Sequence, residues 1–301
     1  MIVLEKFSEK FLKENITTFV VSFKFTPAHR SALLLVKVWL AFLLAVEPLS
    51  AGFERTAQPV SLMGSAFSAI FAEESESILV NPSSAGSLGS FHLSIFYTPS
   101  PFELPQLSNC GVVAAYPFES LRTAVSLTST GFSLYRELTA TTTLARGFDG
   151  ILFVGLNFNI NHLTIAHYGS ATAIGIDLAA AVQVTEDLRW GFSLLNVNRP
   201  SIGGEDGKLP EVYITGVSCQ LMPTANISFS LVKDVCYPTS LRTGVEFSLV
   251  EIIRLRIGVS TEPSRYCAGI GVRVSPVSFD YGVATHEDLG LTHSLGLSMT
   301  F

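Results

Sequence analysis

The C-terminal segment Leu291–Phe301 constrains the fold more than any other part of the chain. Its apolar residues occupy alternate positions, and the positions between them hold polar residues or glycine. Because successive side chains of a strand point to opposite faces, this segment predicts a strand with one apolar and one polar face. A strand that faces lipid needs this pattern, but the closing strand of a soluble β-sandwich also shows it. The rest of the chain has to distinguish the two.

The composition favours a membrane as the surroundings of the chain. Only 15% of the 301 residues are charged, 48% are hydrophobic, and the mean hydropathy is +0.43. The net charge of −6 provides no basic surface, so we expect no nucleic-acid partner. Beyond residue 51, polar residues and glycine interrupt every apolar stretch before it reaches the roughly 18 residues of a membrane-spanning helix. If this region crosses a membrane, it therefore does so as strands.

An apolar run near the N-terminus has the features of a secretory signal peptide. The run extends from Leu33 to Val46, with basic residues before it and small residues after it up to Ala51. We therefore assign residues 1–51 to a signal peptide with an unusually long N-terminal region, and we predict export. A membrane anchor is the alternative interpretation of the same run.

From about residue 88, alternating segments are separated by turn residues, which is the pattern of an all-β meander. Their polar parity holds Gly, Ser, Thr, Asn and scattered Arg, which suits a crowded barrel lumen better than the charged outer face of a sandwich. We predict an all-β fold in which residues 90–301 form a transmembrane antiparallel β-barrel of roughly 14 strands. We expect the longer loops, 196–210 and 233–239, to face outward and the short turns to face the periplasm.

Residues 52–89 differ from the strands, because small residues and an acidic cluster replace the alternation. We predict a small plug segment here, since a lumen of about 14 strands is too wide for strand side chains alone to fill. An N-terminal cap with no gating role is the alternative. The plug candidates are Gly64, Phe67, Glu73, Glu74, Asn81 and Pro82.

This segment resembles the start of the FadL/PorV-like outer-membrane barrels, which include long-chain fatty-acid transporters and the PorV-type barrels of type IX secretion. The resemblance consists of small residues, an acidic pair and an Asn-Pro turn. The matching positions are Gly64, Ala66, Phe67, Ala69, Ala72, Glu73, Glu74, Asn81, Pro82 and Ala85-Gly86. Two features differ from the family pattern: Glu replaces the commoner Asp pair, and Ser83-Ser84 interrupts the Pro-Ala-Gly turn. Thr292-His293 and Phe301 resemble the family's ending.

The resemblance implies an outer-membrane barrel of a Gram-negative-type bacterium, surrounded by outer-membrane lipid, with the N-terminal segment inside as a plug. It also implies that Phe301 is an assembly signal for the barrel-assembly machinery. Two functions follow as expectations. One is passage or binding of hydrophobic or small solutes, and the other is a PorV-like accessory role with a secreted protein as partner and no solute conduction. A secreted soluble sandwich is the alternative from a different class.

Charged residues on the polar strand parity are the candidates for the lumen lining. A ring of arginines favours passage or binding of anions, whereas internal pairing with carboxylates would hold wall and plug together. The candidates are Arg122, Asp177, Arg189, Arg242, Glu246, Arg254, Arg256, Arg273 and Asp280. The sequence contains no motif of nucleophilic catalysis, metal binding or phosphate-loop chemistry, so we expect no enzyme, no metal and no cofactor.

Overall fold

A computed structural model describes residues 59–71, 74–119, 121–204 and 207–301. The predicted signal peptide, residues 1–51, lies outside this part of the chain and stays a prediction. Within the described residues, no helix has the length and apolar character needed to cross a bilayer.

Strands make up most of the described chain. They are β1 His92–Thr98, β2 Asn109–Pro117, β3 Arg122–Gly131, β4 Tyr135–Phe148, β5 Leu152–Ile165, β6 Gly169–Gln183, β7 Leu188–Leu195, β8 Val212–Met222, β9 Ala225–Asp234, β10 Ser240–Val250, β11 Ile253–Thr261, β12 Ser264–Val274, β13 Val277–His286 and β14 Gly290–Thr300. Each strand pairs antiparallel with its neighbours in sequence, and β1 closes the barrel against β14, with His92 opposite Thr300. The closed sheet confirms the predicted antiparallel barrel of 14 strands and excludes a two-sheet sandwich.

Apolar and polar side chains alternate between the outer and inner surfaces of the wall. On β5, Phe158 and Ile160 are exposed on the outside, while Asn157 and Asn159 are buried on the inside. On β14, Leu295 is 41% exposed on the outer surface, whereas its neighbour Ser294 is fully buried. An apolar exterior around a polar interior is the arrangement of a barrel that spans a lipid bilayer.

The connections at the two ends of the barrel differ in length. One end carries the loop between β1 and β2 (99–108) and the loop between β7 and β8 (196–211), and we call it the long-loop end. The other end carries the turns that follow the even-numbered strands, and we call it the short-turn end. Both loops that the sequence indicated as long, 196–210 and 233–239, lie at the long-loop end. Not every connection at the long-loop end is long, because the turns between β3 and β4 and between β11 and β12 are short.

Residues 59–91 precede the first strand, and we call them the plug; of these, the described residues 59–71 and 74–90 lie inside the barrel. The plug contains the helix α1 (Val60–Met63) and the 3-10 helices η1 (Ser75–Leu79) and η2 (Pro82–Ser87). Two more 3-10 helices, η3 (Pro101–Glu103) and η4 (Pro105–Leu107), belong to the β1–β2 loop. Inside the barrel, α1 contacts β12, β13 and β14, while η2 contacts β4, β5 and β6. The plug therefore reaches opposite sides of the wall.

Inward-facing glycines allow the plug backbone to approach the wall closely. A Cβ atom added to Gly258 would lie 2.6 Å from the Ala66 nitrogen, and one added to Gly155 would lie 2.5 Å from the Pro82 oxygen. Real Cβ atoms essentially never show contacts under 3.0 Å. These glycines therefore serve the packing of the plug, whereas the sequence pattern showed only that they lie on the polar parity.

Candidate functional site

The nine charged lumen candidates project from the inner surface of the wall at different heights. The structure brings four of them together in the middle of the barrel: Glu246, Arg254, Arg256 and Asp280. The other five, Arg122, Asp177, Arg189, Arg242 and Arg273, lie apart from one another. The charged groups therefore form one cluster and several separate positions rather than a ring.

The central cluster fastens the plug to the wall. Arg256, only 3% exposed, donates from Nη1 to Asp280 Oδ1 at 2.6 Å and from Nε to Glu246 Oε2 at 2.5 Å. Its Nη2 lies 3.6 Å from Oε1 of Glu74, and Arg254 Nη1 donates to the same oxygen at 2.8 Å. Because Glu74 belongs to the plug and the other four residues to β10, β11 and β13, we call these five residues the plug latch.

The electrostatics of the latch keep Glu74 charged. Burial raises the pKa of the Glu74 carboxyl, but Arg256, Arg254 and Arg273 outweigh burial and hold the pKa below its ordinary value. An ionised Glu74 keeps both arginine contacts at neutral pH. The contact between plug and wall is therefore made by compensated, buried charges, which are costly to separate.

A second plug carboxyl, Glu76, lies close to the latch and was not singled out from the sequence. Its Oε2 accepts hydrogen bonds from the Val60 N–H at 3.0 Å and from the Ser61 hydroxyl at 3.5 Å, so it joins η1 to α1. Burial, and then the nearby charge of Asp280, raises the pKa of Glu76 to about 7. The acidic cluster of the sequence was the available signal, but the environment of each carboxyl is set by the fold.

Asp177 is fully buried within a polar network of the wall. Three threonine–asparagine pairs join β4 to β5: Thr139–Asn161, Thr141–Asn159 and Thr143–Asn157. Asn157 and Asn159 donate to Asp177 Oδ2, and the Asn196 N–H donates to its Oδ1 at 2.8 Å. Asn157 also donates to the Ile78 carbonyl at 3.1 Å. The network thus connects the plug with the beginning of the β7–β8 loop.

The remaining arginine candidates have individual environments. Arg122 Nε donates to the Leu88 carbonyl of the plug at 2.8 Å. Arg189 donates to Gln183 at 2.7 Å and lies over the ring of Phe71, with its Cζ 4.6 Å from the ring centroid. Arg242 lies toward the long-loop end of β10, and Arg273 lies at the short-turn end of β12.

The plug candidates make separate packing contacts. Gly64 packs against β12, where a Cβ added to Gly269 would lie 3.0 Å from the Gly64 Cα. Phe67 is buried beside Cys267 and Ala284. Asn81 Oδ1 accepts the N–H and the hydroxyl of Ser83, at 3.0 Å and 2.6 Å, and so caps η2, which begins at Pro82. Glu73 lies outside the described residues.

The predicted assembly signal, Phe301, is exposed at the short-turn end of the barrel. Its ring lies 5.8 Å from that of Phe91, and its N–H donates to the Phe91 carbonyl at 2.9 Å. Tyr116 and Phe118 extend this aromatic group along the outer surface. Aromatic groups at this height are typical of barrels at the membrane interface.

One side of the lumen carries two apolar clusters that were not predicted from the sequence. Inward-facing residues of the β7–β9 wall pack against Ile70 of the plug, and residues of the β7–β8 loop pack against Ala173 nearer the long-loop end. We call these wall and loop residues the apolar strip: Leu195, Ile202, Leu209, Val212, Ile214 and Val232. The available signal was the loss of alternation in Val212–Thr215, where apolar residues occupy both parities.

The wall is interrupted beside the apolar strip. β6 pairs with β7 only from Leu178 to Gln183, so its first half extends beyond the end of β7. There the β7–β8 loop takes the place of a strand: the Val197 N–H donates to the Ile176 carbonyl at 2.8 Å, and the Asn198 side chain donates to the Ile174 carbonyl at 2.8 Å. The loop therefore completes the wall with fewer hydrogen bonds than a full strand would make.

Comparison with known proteins adds information on the fold. No protein-family model matches the chain, and no curated protein matches it. Several solved structures share its fold. CymD, a monoaromatic hydrocarbon channel, matches with a TM-score of 0.62 and 12% identity over 81% of this chain and 97% of its own. The toluene transporter TbuX of Ralstonia pickettii matches with a TM-score of 0.62 and 12% identity over 86% and 100%.

A FadL homologue of Pseudomonas aeruginosa matches with a TM-score of 0.57 and 11% identity over 83% of this chain and 99% of its own. At these identities the comparisons establish the fold and leave the activity open. The protein has a FadL-like outer-membrane barrel fold, which confirms the FadL part of the resemblance found in the sequence. The PorV part is not tested by these structures and stays a prediction.

Proposed function

We propose that this protein is an outer-membrane barrel that passes hydrophobic solutes along the apolar strip. The strip is the observation that carries the proposal, because its two apolar clusters lie on neighbouring strands, one under the β7–β8 loop and the other against the plug. Elsewhere the described inner surface is rich in serine, threonine, asparagine and charge. The description of CymD and TbuX as a hydrocarbon channel and a toluene transporter supports the same class of solute.

On this proposal, the route is closed by the plug and by the β7–β8 loop. Ile202 and Leu209 are buried against the wall at its upper end, and Ile70 packs on Val212 and Ile214 at its lower end. A solute on this route therefore requires displacement of the β7–β8 loop and of the plug. The loop is suited to such movement, because it replaces strand pairing at the interruption above β7.

The five charged groups of the plug latch lie away from this route, whereas Asp177 borders it at Asn196 and the Arg199–Glu211 ion pair lies in the β7–β8 loop. The plug latch joins β10, β11 and β13, whereas the strip lies on β7, β8, β9 and the loop. An uncharged apolar surface lets a hydrophobic solute leave water without removing a charge from water, which would be costly. This separation favours hydrophobic solutes over ions on the strip.

The experiment that tests the proposal measures outer-membrane uptake of two probes in cells producing the protein. The hydrophobic dye N-phenylnaphthylamine reports the proposed route, and the polar β-lactam nitrocefin reports a water-filled pore. We expect the protein to raise dye uptake above the vector level and Ile214→Asn to reduce that gain severalfold. The matched control is Ser294→Asn, which places the same amide on the opposite inner wall at β14.

Heat-modifiable gel mobility establishes that each variant is folded before uptake is compared. Dye uptake equal to the vector level, with and without the plug residues 59–91, would overturn the solute route. That result would favour the PorV-like accessory role, in which a secreted protein is the partner. Equal loss of uptake in Ile214→Asn and Ser294→Asn would remove the strip as the route.

A further inference from the structure

A second feature of the lumen lies on the opposite side from the apolar strip, at the short-turn end. A cavity of about 300 Å³ lies there between the plug and the wall formed by β12, β13, β14 and β1. Its lining contains Arg273, His92 and seven hydroxyl-bearing residues: Ser75, Ser87, Ser90, Ser275, Ser278, Ser298 and Thr300. The hydroxyls of Ser75, Ser87 and Ser278 bond to Ser94, Ser84 and Asp280. The arginine, the histidine and the other hydroxyl groups remain as a set of donors for an oxygen-rich anion.

Arg273 is available to a ligand in a way that several other inward arginines are not. Arg122, Arg189, Arg254 and Arg256 each donate to a backbone carbonyl, an amide or a carboxylate. The Arg273 backbone N–H donates to the Ile252 carbonyl at 2.8 Å, but among the described residues its guanidinium makes no hydrogen bond and no ion pair. Its guanidinium is exposed and lines the cavity, so its five N–H donors are not used by the protein.

The groups around Arg273 are arranged for a ligand with several oxygens. His92 holds two of the hydroxyls, with Ser90 Oγ 3.3 Å from its Nε2 and Thr300 Oγ1 3.3 Å from its Nδ1. The Ser298 hydroxyl makes no hydrogen bond with the described residues, and Ser298 lines the same space. A carboxylate offers two coplanar oxygens, whereas a phosphoryl group offers three that point in different directions and match donors on several strands.

One carboxylate, that of Glu74, also lines the cavity, and its charge would oppose an anion. That carboxylate is bound by Arg254 at 2.8 Å and lies 3.6 Å from Arg256, so these two arginines offset its charge before that of Arg273 does. Arg273 is exposed to the open part of the cavity, whereas the Glu74 side chain is only 19% exposed and is held in the latch. The cavity is also several times larger than a phosphate ion, which leaves room for an organic substituent.

We propose that this cavity binds the phosphoryl group of a small phosphate monoester. The site is separate from the proposed hydrophobic route, and neither depends on the other. The same phosphoryl chemistry occurs in soluble phosphate esters and in the headgroup of phosphatidic acid. The experiment therefore includes a probe for each source.

The test is calorimetric titration of the purified full-length protein in a zwitterionic detergent at pH 7 and low ionic strength. The probes are glycerol 3-phosphate, dihexanoyl phosphatidic acid and acetate. We expect binding of a phosphoryl probe to weaken about tenfold or more in Arg273→Gln, because a charge-assisted hydrogen bond is lost. Arg146→Gln is the matched control, since Arg146 is an exposed arginine at the same end of the barrel but on the outer surface.

Arg273-dependent binding of glycerol 3-phosphate supports the proposal with a soluble ester as ligand, and binding of phosphatidic acid alone supports it with a lipid headgroup. Binding that is equal in the wild type and in Arg273→Gln overturns it, as does the absence of heat at millimolar probe. Acetate binding as tight as that of the phosphoryl probes overturns the assignment to phosphate. Unchanged heat-modifiable mobility of Arg273→Gln shows that the comparison is made on a folded barrel.

Discussion

Replacing Arg256 tests whether the plug latch fixes the plug to the wall. The guanidinium is 3% exposed and directly contacts Asp280 and Glu246, while Glu74 lies 3.6 Å away. Arg256→Met keeps most of the side-chain volume but removes the charge. The substitution leaves Arg254 as the only remaining cation of the latch, opposite three carboxylates.

The expected loss follows from the burial of these groups. The Asp280 side chain is 8% exposed, so its charge has little access to water once Arg256 is gone, whereas that of Glu246 is 32% exposed and better hydrated. Removing one partner of a buried ion pair typically costs about 3–5 kcal/mol, because the other charge stays buried and uncompensated. We expect Arg256→Met to cost about this amount and to release the plug.

The assay is urea unfolding of the purified barrel followed by heat-modifiable gel mobility, combined with single-channel conductance. Arg256→Met should lower the unfolding midpoint and increase the frequency of open-channel events. The double variant Arg256→Met/Asp280→Asn should regain part of the lost stability, because the uncompensated carboxylate is neutralised. Arg146→Met, an exposed arginine on the outer surface, serves as the control and should change little.

Two results would refute this reasoning about the latch. One is a loss below about 0.5 kcal/mol in Arg256→Met, which is the range of an ordinary surface substitution. The other is strict additivity of the two substitutions in the double variant, since residues that share a buried pair should be coupled.

Two further predictions concern the membrane-facing wall and the plug. Leu295→Lys, on the outer surface of β14, should cost about 2–4 kcal/mol in lipid, whereas Ser298→Lys, on the inner surface, should cost less than about 1 kcal/mol; equal unfolding midpoints in liposomes would contradict the assignment of faces. The raised pKa of Glu76, about 7 against an ordinary 4.5, implies that its contribution to plug docking is full below about pH 4.5 and is lost as the pH rises through 7. The free energy of unfolding in urea should therefore be higher at pH 5 than at pH 8 by at most about 3 kcal/mol, and Glu76→Gln should remove most of this difference. If Glu76→Gln shows the same difference in unfolding free energy between pH 5 and pH 8 as the wild type, another titrating group causes the pH dependence.

The local pattern of the sequence was sufficient to predict the wall of the barrel. Strand side chains alternate between two faces. The order of apolar and polar residues within one strand therefore predicts which side chains face lipid and which face the lumen, as in β5 and β14. The same rule placed the nine charged candidates on the inward parity. The break in alternation at Val212–Thr215 marked the apolar strip, but its meaning depended on the neighbouring strand and loop.

The contacts inside the lumen could not be derived in this way. Glu74 and Arg254 are 180 residues apart in the chain, and Asp177 meets Asn157 and Asn196 only because three strands are in register. Gly258 and Gly155 leave room for the plug backbone, and this role can be recognised only when the position of the plug is known. Arg273 shows the same limit: the sequence predicted that it faces inward, but not that its guanidinium has no partner among the described residues.

The sequence by itself determined the strand pattern, the apolar outer surface and the presence of a separate N-terminal segment, because these depend on side-chain periodicity and composition over short distances. The tertiary structure decided which charges pair in the latch, where the wall is interrupted above β7, and which cavity Arg273 lines. The physical reason is that barrel closure brings distant strands together, and the environment of each inward side chain depends on the groups placed opposite it.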